Sequence, residues 1–155
     1  MDANGDLLFN GKLYKPYTQR EYLYVSRTGT LAHGVGMTLR FNNKINGNIP
    51  ITADGAFTLQ KGKVYSVEVN VLLDMPSWVK MAMIETSTGT VPAECPNGAI
   101  LWSISGTNAE SPNGILSLII EPTSTRNFGI RFLSRGGTGD INLRGGYSFL
   151  KIMEI

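Results

Sequence analysis

The 155-residue chain is poor in the side chains that carry most enzyme chemistry. His33 is its only histidine and Cys95 its only cysteine, so a Ser-His-Asp or Cys-His site would depend on one glycine-flanked loop residue. The same counts exclude metal sites rich in histidine or cysteine, and a single cysteine excludes an intrachain disulfide. We therefore expect no catalytic residues, no cofactor and no metal. A calcium site at the glycine-rich sequence RGGTGD stays an alternative, although Asp140 is the single carboxylate there.

A long apolar run and a marked charge excess are also missing. No stretch reaches the length of a transmembrane helix, and the start, MDANGDLLFNGKLYKPY, lacks the basic and apolar regions of a signal peptide. The formal net charge of +2 is too small to indicate a nucleic-acid partner. Late basic residues are interspersed with acidic ones, which is typical of a solvated or salt-bridged surface. The sequence predicts no membrane binding and no nucleic-acid binding. It predicts that the protein assembles in a cytoplasm.

Helical periodicity is nearly absent, whereas short alternating runs recur between glycine- and proline-rich turns. The clearest run is KVYSVEVNVLL, in which Tyr65, Val67 and Val69 share one face and Ser66 and Glu68 the other. EYLYVSR and GMTLRFN also read as strands, with NNKINGNIP as a hairpin-like link. About eight to ten strands and no internal repeat predict one all-β domain, an antiparallel two-sheet sandwich.

Several predicted strands are apolar on both faces. In the terminal YSFLKIMEI, alternation places Phe149 and Met153 on one face and Leu150 and Ile152 on the other. ILSLIIEP and SWVKMAMIET show the same pattern, with Trp78, Ala82 and Ile84 opposite Val79, Met81 and Met83. One sandwich covers one face of each strand, so the second face requires another cover. Without helices to supply it, we expect a second subunit, and we place the terminal strand in an inner sheet.

Three segments resemble the small trimeric jelly rolls of the tumour-necrosis-factor and complement type that occur in bacteriophage structural proteins. The segments are GAFTLQKGKVYSVEVNV, LIIEPTSTRNFGIRFLS and GGYSFLKIMEI, and the resemblance covers residues 55–155. The matching positions are Phe57, Thr58, Leu59, Gly62, Lys63, Tyr65, Pro122, Thr123, Tyr147, Ile152, Glu154 and Ile155. These residues determine a fold, so the resemblance implies architecture and trimerisation and no chemical site.

The resemblance implies a non-enzymatic virion protein located on the capsid surface or tail and assembled in the host cytoplasm. We expect a homotrimeric capsid decoration or head-fibre protein whose partner is the major capsid protein or another virion protein. The alternative is the receptor-binding knob of a tail fibre or needle, with a host surface polysaccharide or protein as partner. The expected trimer interface consists of Tyr147, Phe149, Leu150, Ile152, Met153 and Ile155.

Residues 1–24 have no family motif and are predicted to form an amino-terminal arm ahead of a jelly-roll domain at 25–155. The arm is too apolar for a solvated tail, while Asn4-Gly5, Asn10-Gly11 and Pro16 argue against one long strand. Tyrosines cluster in it, and tyrosine suits a docking surface. We expect capsid docking through Leu7, Leu8, Phe9, Tyr14 and Tyr17. Alternatively, the arm after Lys12 pairs as the first strand of its own jelly roll.

Overall fold

The computed structural model describes residues 8–9, 12–13, 20–74, 78–95, 99–103, 113–138, 140–146 and 148–155, with the backbone alone at 8–9, 12–13, 99–103 and 113–114. The regular elements in these ranges are all β-strands. In chain order they are β1 (Leu8–Phe9), β2 (Lys12–Leu13), β3 (Tyr22–Ser26), β4 (Leu31–His33), β5 (Asn43–Gly47), β6 (Phe57–Leu59), β7 (Tyr65–Asp74), β8 (Trp78–Glu85), β9 (Ala99–Ser103), β10 (Asn113–Ile120), β11 (Arg126–Arg135), β12 (Ile141–Leu143) and β13 (Phe149–Glu154).

The strands form two antiparallel sheets and a separate hairpin. The large sheet has the order β4-β12-β7-β13-β3-β5, with β10 also paired to β7. The small sheet has the order β6-β11-β8-β9, and β1 pairs only with β2 among the described strands. All of these pairings are antiparallel. The sequence prediction of two antiparallel sheets is confirmed.

Strand β7 shows how alternation builds the core. Tyr65, Val67, Val69, Val71 and Leu73 are each 0% exposed, whereas Glu68 between them is exposed. The small sheet supplies the facing side of the core, with aromatic side chains from β6 and β11 stacked at a centroid distance of 6.4 Å between Phe57 and Phe128. The one-sided pattern predicted for this strand is therefore correct, and its apolar face lies between the sheets.

Gly55 allows a tight approach between two loops. Its φ is +83°, which other L-residues rarely adopt, and a Cβ there would lie 1.9 Å from the carbonyl oxygen of Leu39. No side chain fits at that distance. The predicted Asp54-Gly55 turn thus holds the chain against the segment at residues 38–42.

The segment GMTLRFN at 36–42, predicted as a strand, forms only an isolated bridge between Thr38 and Arg131. Leu39 is buried and its N–H donates to the carbonyl of Ile130 at 2.7 Å, so the segment packs across the sandwich edge. NNKINGNIP was predicted as a link, and Asn43–Gly47 within it instead forms β5, paired to β3. Its polar side chains are exposed at a sheet edge, where no apolar alternation is needed.

Strand β8 corrects the expectation that a second apolar face requires another subunit. Val79, Met81 and Met83 are 0% exposed, and so are Ala82 and Ile84 on the opposite face. Both faces are therefore buried within the single chain. On this strand, two-sided apolarity reflects burial by the chain itself and not subunit contact, although only Val79, Met81 and Met83 belong to the core cluster.

The predicted boundary between arm and domain falls inside a strand. β3 begins at Tyr22 and pairs with β13 through Tyr22, Leu23 and Tyr24, so the last three residues of the predicted arm lie in the large sheet. Among the residues before position 20, β1 and β2 form a hairpin in which Leu8 lies opposite Leu13.

Candidate self-association face

The terminal strand β13 lies inside the large sheet, between β7 and β3. Leu150 and Ile152 are 0% and 1% exposed and point into the core, so alternation turns Phe149 and Met153 to the other side. This other side of the large sheet is here called the open face. Its outward side chains on β10, β7, β13 and β3 are Ile115, Ser117, Ile119, Ser66, Glu68, Asn70, Phe149, Lys151, Met153, Tyr22, Tyr24 and Ser26.

Strand register aligns these side chains in rows across the sheet. The outer rows carry five apolar or aromatic side chains among their eight, and the row between them carries Glu68 directly opposite Lys151. Tyr24 lies edge-on to Phe149, with ring centroids 5.9 Å apart and an interplanar angle of 85°. The rows are Ile119–Ser66–Met153–Tyr22, Ser117–Glu68–Lys151–Tyr24 and Ile115–Asn70–Phe149–Ser26.

Three of the largest exposed apolar side chains lie on the open face. Ile119 is 63% exposed, Ile115 53% and Tyr24 37%. Both isoleucines belong to β10, whose pairing within the large sheet is to β7. Grouped apolar exposure of this kind on one side of a sheet is typical of an interaction surface.

A shallow hollow of about 160 Å³ lies at the β3 and β13 end of the open face. Tyr22, Tyr24, Lys151 and Met153 line it, and the hydroxyl of Tyr22 donates to Oδ1 of Asn46 at 3.0 Å. The hollow is large enough for one side chain of a partner, and its walls combine apolar area with hydrogen-bonding groups.

A polar cluster fixes the end of β13. Glu154 is 7% exposed, and its carboxylate accepts a hydrogen bond from the backbone N–H of Glu21 at 3.0 Å. The ammonium of Lys63 lies 2.7 Å from Glu21 and 3.4 Å from Glu154. The hydroxyl of Tyr65 donates to Glu21, and burial together with this bond raises the pKa of Tyr65. The cluster connects the end of β13 to Glu21, just before β3, and to Lys63, just before β7, and thereby holds the three strands in register.

The structure divides the predicted trimer-interface residues between two environments. Phe149 and Met153 are partly exposed on the open face, and Ile155 is 53% exposed. Leu150 and Ile152 fill the core of their own chain, so a neighbouring subunit cannot contact their side chains in this fold. Tyr147 lies outside the described residues.

The predicted docking residues of the arm are covered only in part. Leu8 and Phe9 lie in β1, where the backbone is described, whereas Leu7, Tyr14 and Tyr17 lie outside the described residues. Sequence reasoning did not single out Ile115 and Ile119 as interface residues. The two-sided apolar pattern of ILSLIIEP was the signal that would have identified them.

The remaining reactive side chains have structural roles. His33 is 2% exposed, its Nδ1–H donates to the carbonyl of Leu31 at 3.1 Å, and its Nε2 accepts from the backbone N–H of Arg40 at 3.4 Å. Burial lowers the pKa of His33, and the charges of Arg27 and Arg40 lower it further. Burial raises the pKa of the Cys95 thiol to about 11, which makes it a poor nucleophile.

Two further features are missing from the described part of the chain. It contains no group of three or more histidine, cysteine or carboxylate side chains placed to hold a metal ion. It also contains no helix long and apolar enough to cross a membrane.

The fold is that of C1q- and TNF-type domains. The globular domain of zebrafish complement 1qA protein matches with a TM-score of 0.65 at 16% identity, over 88% of this chain and 98% of that domain. Eiger TNF from S. frugiperda matches with a TM-score of 0.61 at 10% identity, over 88% of this chain and 92% of that one. No protein-family model and no curated protein matches the sequence. The predicted TNF-like jelly-roll sandwich is thus confirmed.

Proposed function

We propose that this chain is a non-enzymatic structural protein that assembles as a homotrimer through the open face. The observation that carries this proposal is the exposure of Ile115, Ile119 and Tyr24 on one side of the large sheet. Burying these side chains against another copy stabilises the assembly by about 25 cal/mol per Å² of apolar area removed from water. The trimeric state follows the resemblance of residues 55–155 to trimeric jelly rolls.

The charges of the open face fit a contact between copies. Glu68 and Lys151 lie opposite each other in the middle row, so the face has one carboxylate and one ammonium at its centre. Opposite charges on one surface can pair with their counterparts on a second copy, which fixes the register of the contact. The apolar rows on either side then supply most of the buried area.

Substituting both Ile115 and Ile119 with lysine is expected to weaken self-association more than tenfold, because each lysine would place a charge in the contact. Sedimentation velocity over a range of protein concentrations measures the association. The matched control is Val35→Lys, at a residue 46% exposed in a turn away from the open face. A wild type that stays monomeric, or a control that dissociates as readily as the double variant, argues against the open face as the interface.

We further propose a place for the trimer on a virion, as a capsid decoration or head-fibre protein bound to the major capsid protein or another virion protein. The resemblance to phage jelly rolls supports this role. The hairpin of β1 and β2 supports docking by the arm, because its described pairing is internal and involves neither sheet. The apolar residues at 7–9 then supply the contact with the particle.

Deleting residues 1–11 is expected to leave a folded trimer that no longer sediments with undecorated capsids. Circular dichroism and sedimentation velocity on the free protein provide the control for folding and assembly. If the shortened protein decorates capsids normally, docking lies elsewhere, and the loops with Arg135, Asp140 and Arg144 become the next candidates. Binding of the intact protein to host cells and not to capsids would instead support the receptor-binding alternative.

A further inference from the structure

A recess of about 510 Å³ lies at the edge of the sandwich, where β3 and β5 meet the segments around residues 40–42 and 51–53. Lys44 is opposite Val25 in register, and Val25 points into the core, so Lys44 lies on the core side of the sheet. The recess and the open face are therefore on opposite sides of the large sheet. Its volume is within the range of small-molecule binding sites, about 300–1,000 Å³.

The recess combines an apolar floor with a basic rim. Val25, Phe41 and Ile51 contribute to the floor, and Arg27, Arg40 and Lys44 provide three positive charges around it. One carboxylate accompanies them: Asp54 lies 3.3 Å from Arg40, with side-chain exposures of 82% and 45%. The local charge is thus about +2, and the exposed pair is weak enough for a ligand carboxylate to replace Asp54.

The backbone under the rim is held on both sides. Leu39, next to Arg40, is bonded to β11 through its N–H, and the N–H of Arg27 donates to the carbonyl of Ser148 at 2.9 Å. Asn42 accepts from the N–H of Thr28 at 2.8 Å and returns a bond to the carbonyl of Thr28 at 3.2 Å. The backbone from which Arg27 and Arg40 project is therefore fixed before any ligand arrives, which lowers the entropic cost of binding.

We propose that this basic recess binds an acidic saccharide, with two uronic-acid carboxylates held by the rim and the C–H face of a sugar ring on the apolar floor. Guanidinium groups pair with carboxylates through two parallel hydrogen bonds, so Arg27 and Arg40 are suited to this role. A floor of aliphatic side chains and a buried Phe41 gives no exposed aromatic ring on which a nucleic-acid base can stack. The small local charge also favours a compact dianion over a polyphosphate chain.

Titration of the full chain with digalacturonate, followed through backbone amide shifts, tests this assignment. We expect shifts at residues 40–44 and 51–53 and binding at least about tenfold tighter than that of the neutral dimethyl ester, because charge-assisted hydrogen bonds are lost in the ester. Arg27→Gln with Lys44→Gln should weaken binding more than about tenfold. The control Lys61→Gln with Lys80→Gln removes the same charge elsewhere and should leave binding unchanged. Asp54→Asn should strengthen it, because Arg40 is then released.

Equal binding of the acid and the ester, or equal losses in the two double variants, would overturn the proposal. A single-stranded oligonucleotide that binds this recess more tightly than digalacturonate would assign it to phosphate instead. Because the recess and the open face lie on opposite sides of the sheet, a monomeric protein that binds digalacturonate rejects the trimer and leaves this inference standing. A trimer that does not bind digalacturonate rejects this inference and leaves the proposed trimer standing.

Discussion

Replacing Ile152 with alanine is expected to lower the free energy of unfolding by about 2–5 kcal/mol, because it removes three buried carbons from a strand in the middle of the large sheet. Ile152 is 1% exposed and lies between Leu23 of β3 and Val67 of β7, both also buried. The neighbouring strands are fixed by their own pairings and cannot close the cavity. Urea denaturation monitored by circular dichroism measures the loss.

The adjacent residue provides the control for this experiment. Met153 lies on the open face between Ser66 and Tyr22, so Met153→Ala should cost the isolated chain less than about 1 kcal/mol. Its effect should appear in self-association instead. The unfolding of both alanine variants is measured in the background of the Ile115→Lys and Ile119→Lys double variant, because association adds concentration-dependent stability. The effect of Met153→Ala on self-association is measured in the wild-type background. Equal destabilisation by the two alanines would contradict the assignment of the two faces.

Replacing Arg126 with methionine should cost about 2–4 kcal/mol, because the substitution leaves two carboxylates without their shared cation. The guanidinium binds Glu85 at 2.7 Å and also contacts Glu94, and it lies 5.4 Å from the centroid of the Phe128 ring. The side chains of the three charged residues are only 16–21% exposed, so water screens them little. Thermal and urea unfolding at neutral pH measure the loss.

Acidification should reduce this difference. The hydroxyl hydrogen bond from Thr123, other hydrogen bonds and the charge of Arg126 lower the pKa of Glu94 in the folded protein. A carboxyl with a lowered folded-state pKa contributes stability above its unfolded pKa and loses it as the pH falls through the folded value, so the gap should narrow below about pH 4. Arg144→Met is the matched control: its pair with Asp74 at 2.5 Å is 47% and 36% exposed and should contribute less than about 1 kcal/mol. A loss from that control as large as from Arg126→Met would mean that burial does not matter here.

Alternation predicted the fold well where one face of a strand meets the core, as in β7 and β13. It failed at the sandwich edge, because β5 consists mainly of exposed polar residues, its one isoleucine, Ile45, is also exposed, and its pairing to β3 leaves no periodic pattern in the sequence. At residues 36–42 the apolar residues indicated a strand, but Leu39 is buried because its own segment packs across the sandwich edge, where the Leu39 N–H donates to Ile130. Local pattern does not distinguish burial by pairing from burial by packing.

The candidate site could be predicted only as a tendency. The two-sided apolarity of β10 and β13 did point to a surface that requires cover, whereas the same pattern in β8 reflects burial within the chain. Deciding whether a second apolar face is covered by the chain itself or needs a partner requires the sheet order. That order depends on contacts between residues that are distant in sequence. The basic recess had no sequence signal, since Arg27, Arg40 and Lys44 are brought together only by the edge of the sandwich.

The position of β13 between β3 and β7 also determines how the chain reaches its fold. Glu21 and Glu154 are hydrogen-bonded across 133 residues of sequence, and the central part of the large sheet closes only when β13 arrives. Contacts between residues so far apart in sequence make folding slow, because a long loop must close before the contacts of β13 can form. Until then the facing edges of β3 and β7 are unpaired and can pair with other chains. Refolding should therefore compete with aggregation, and its yield should fall as the protein concentration rises.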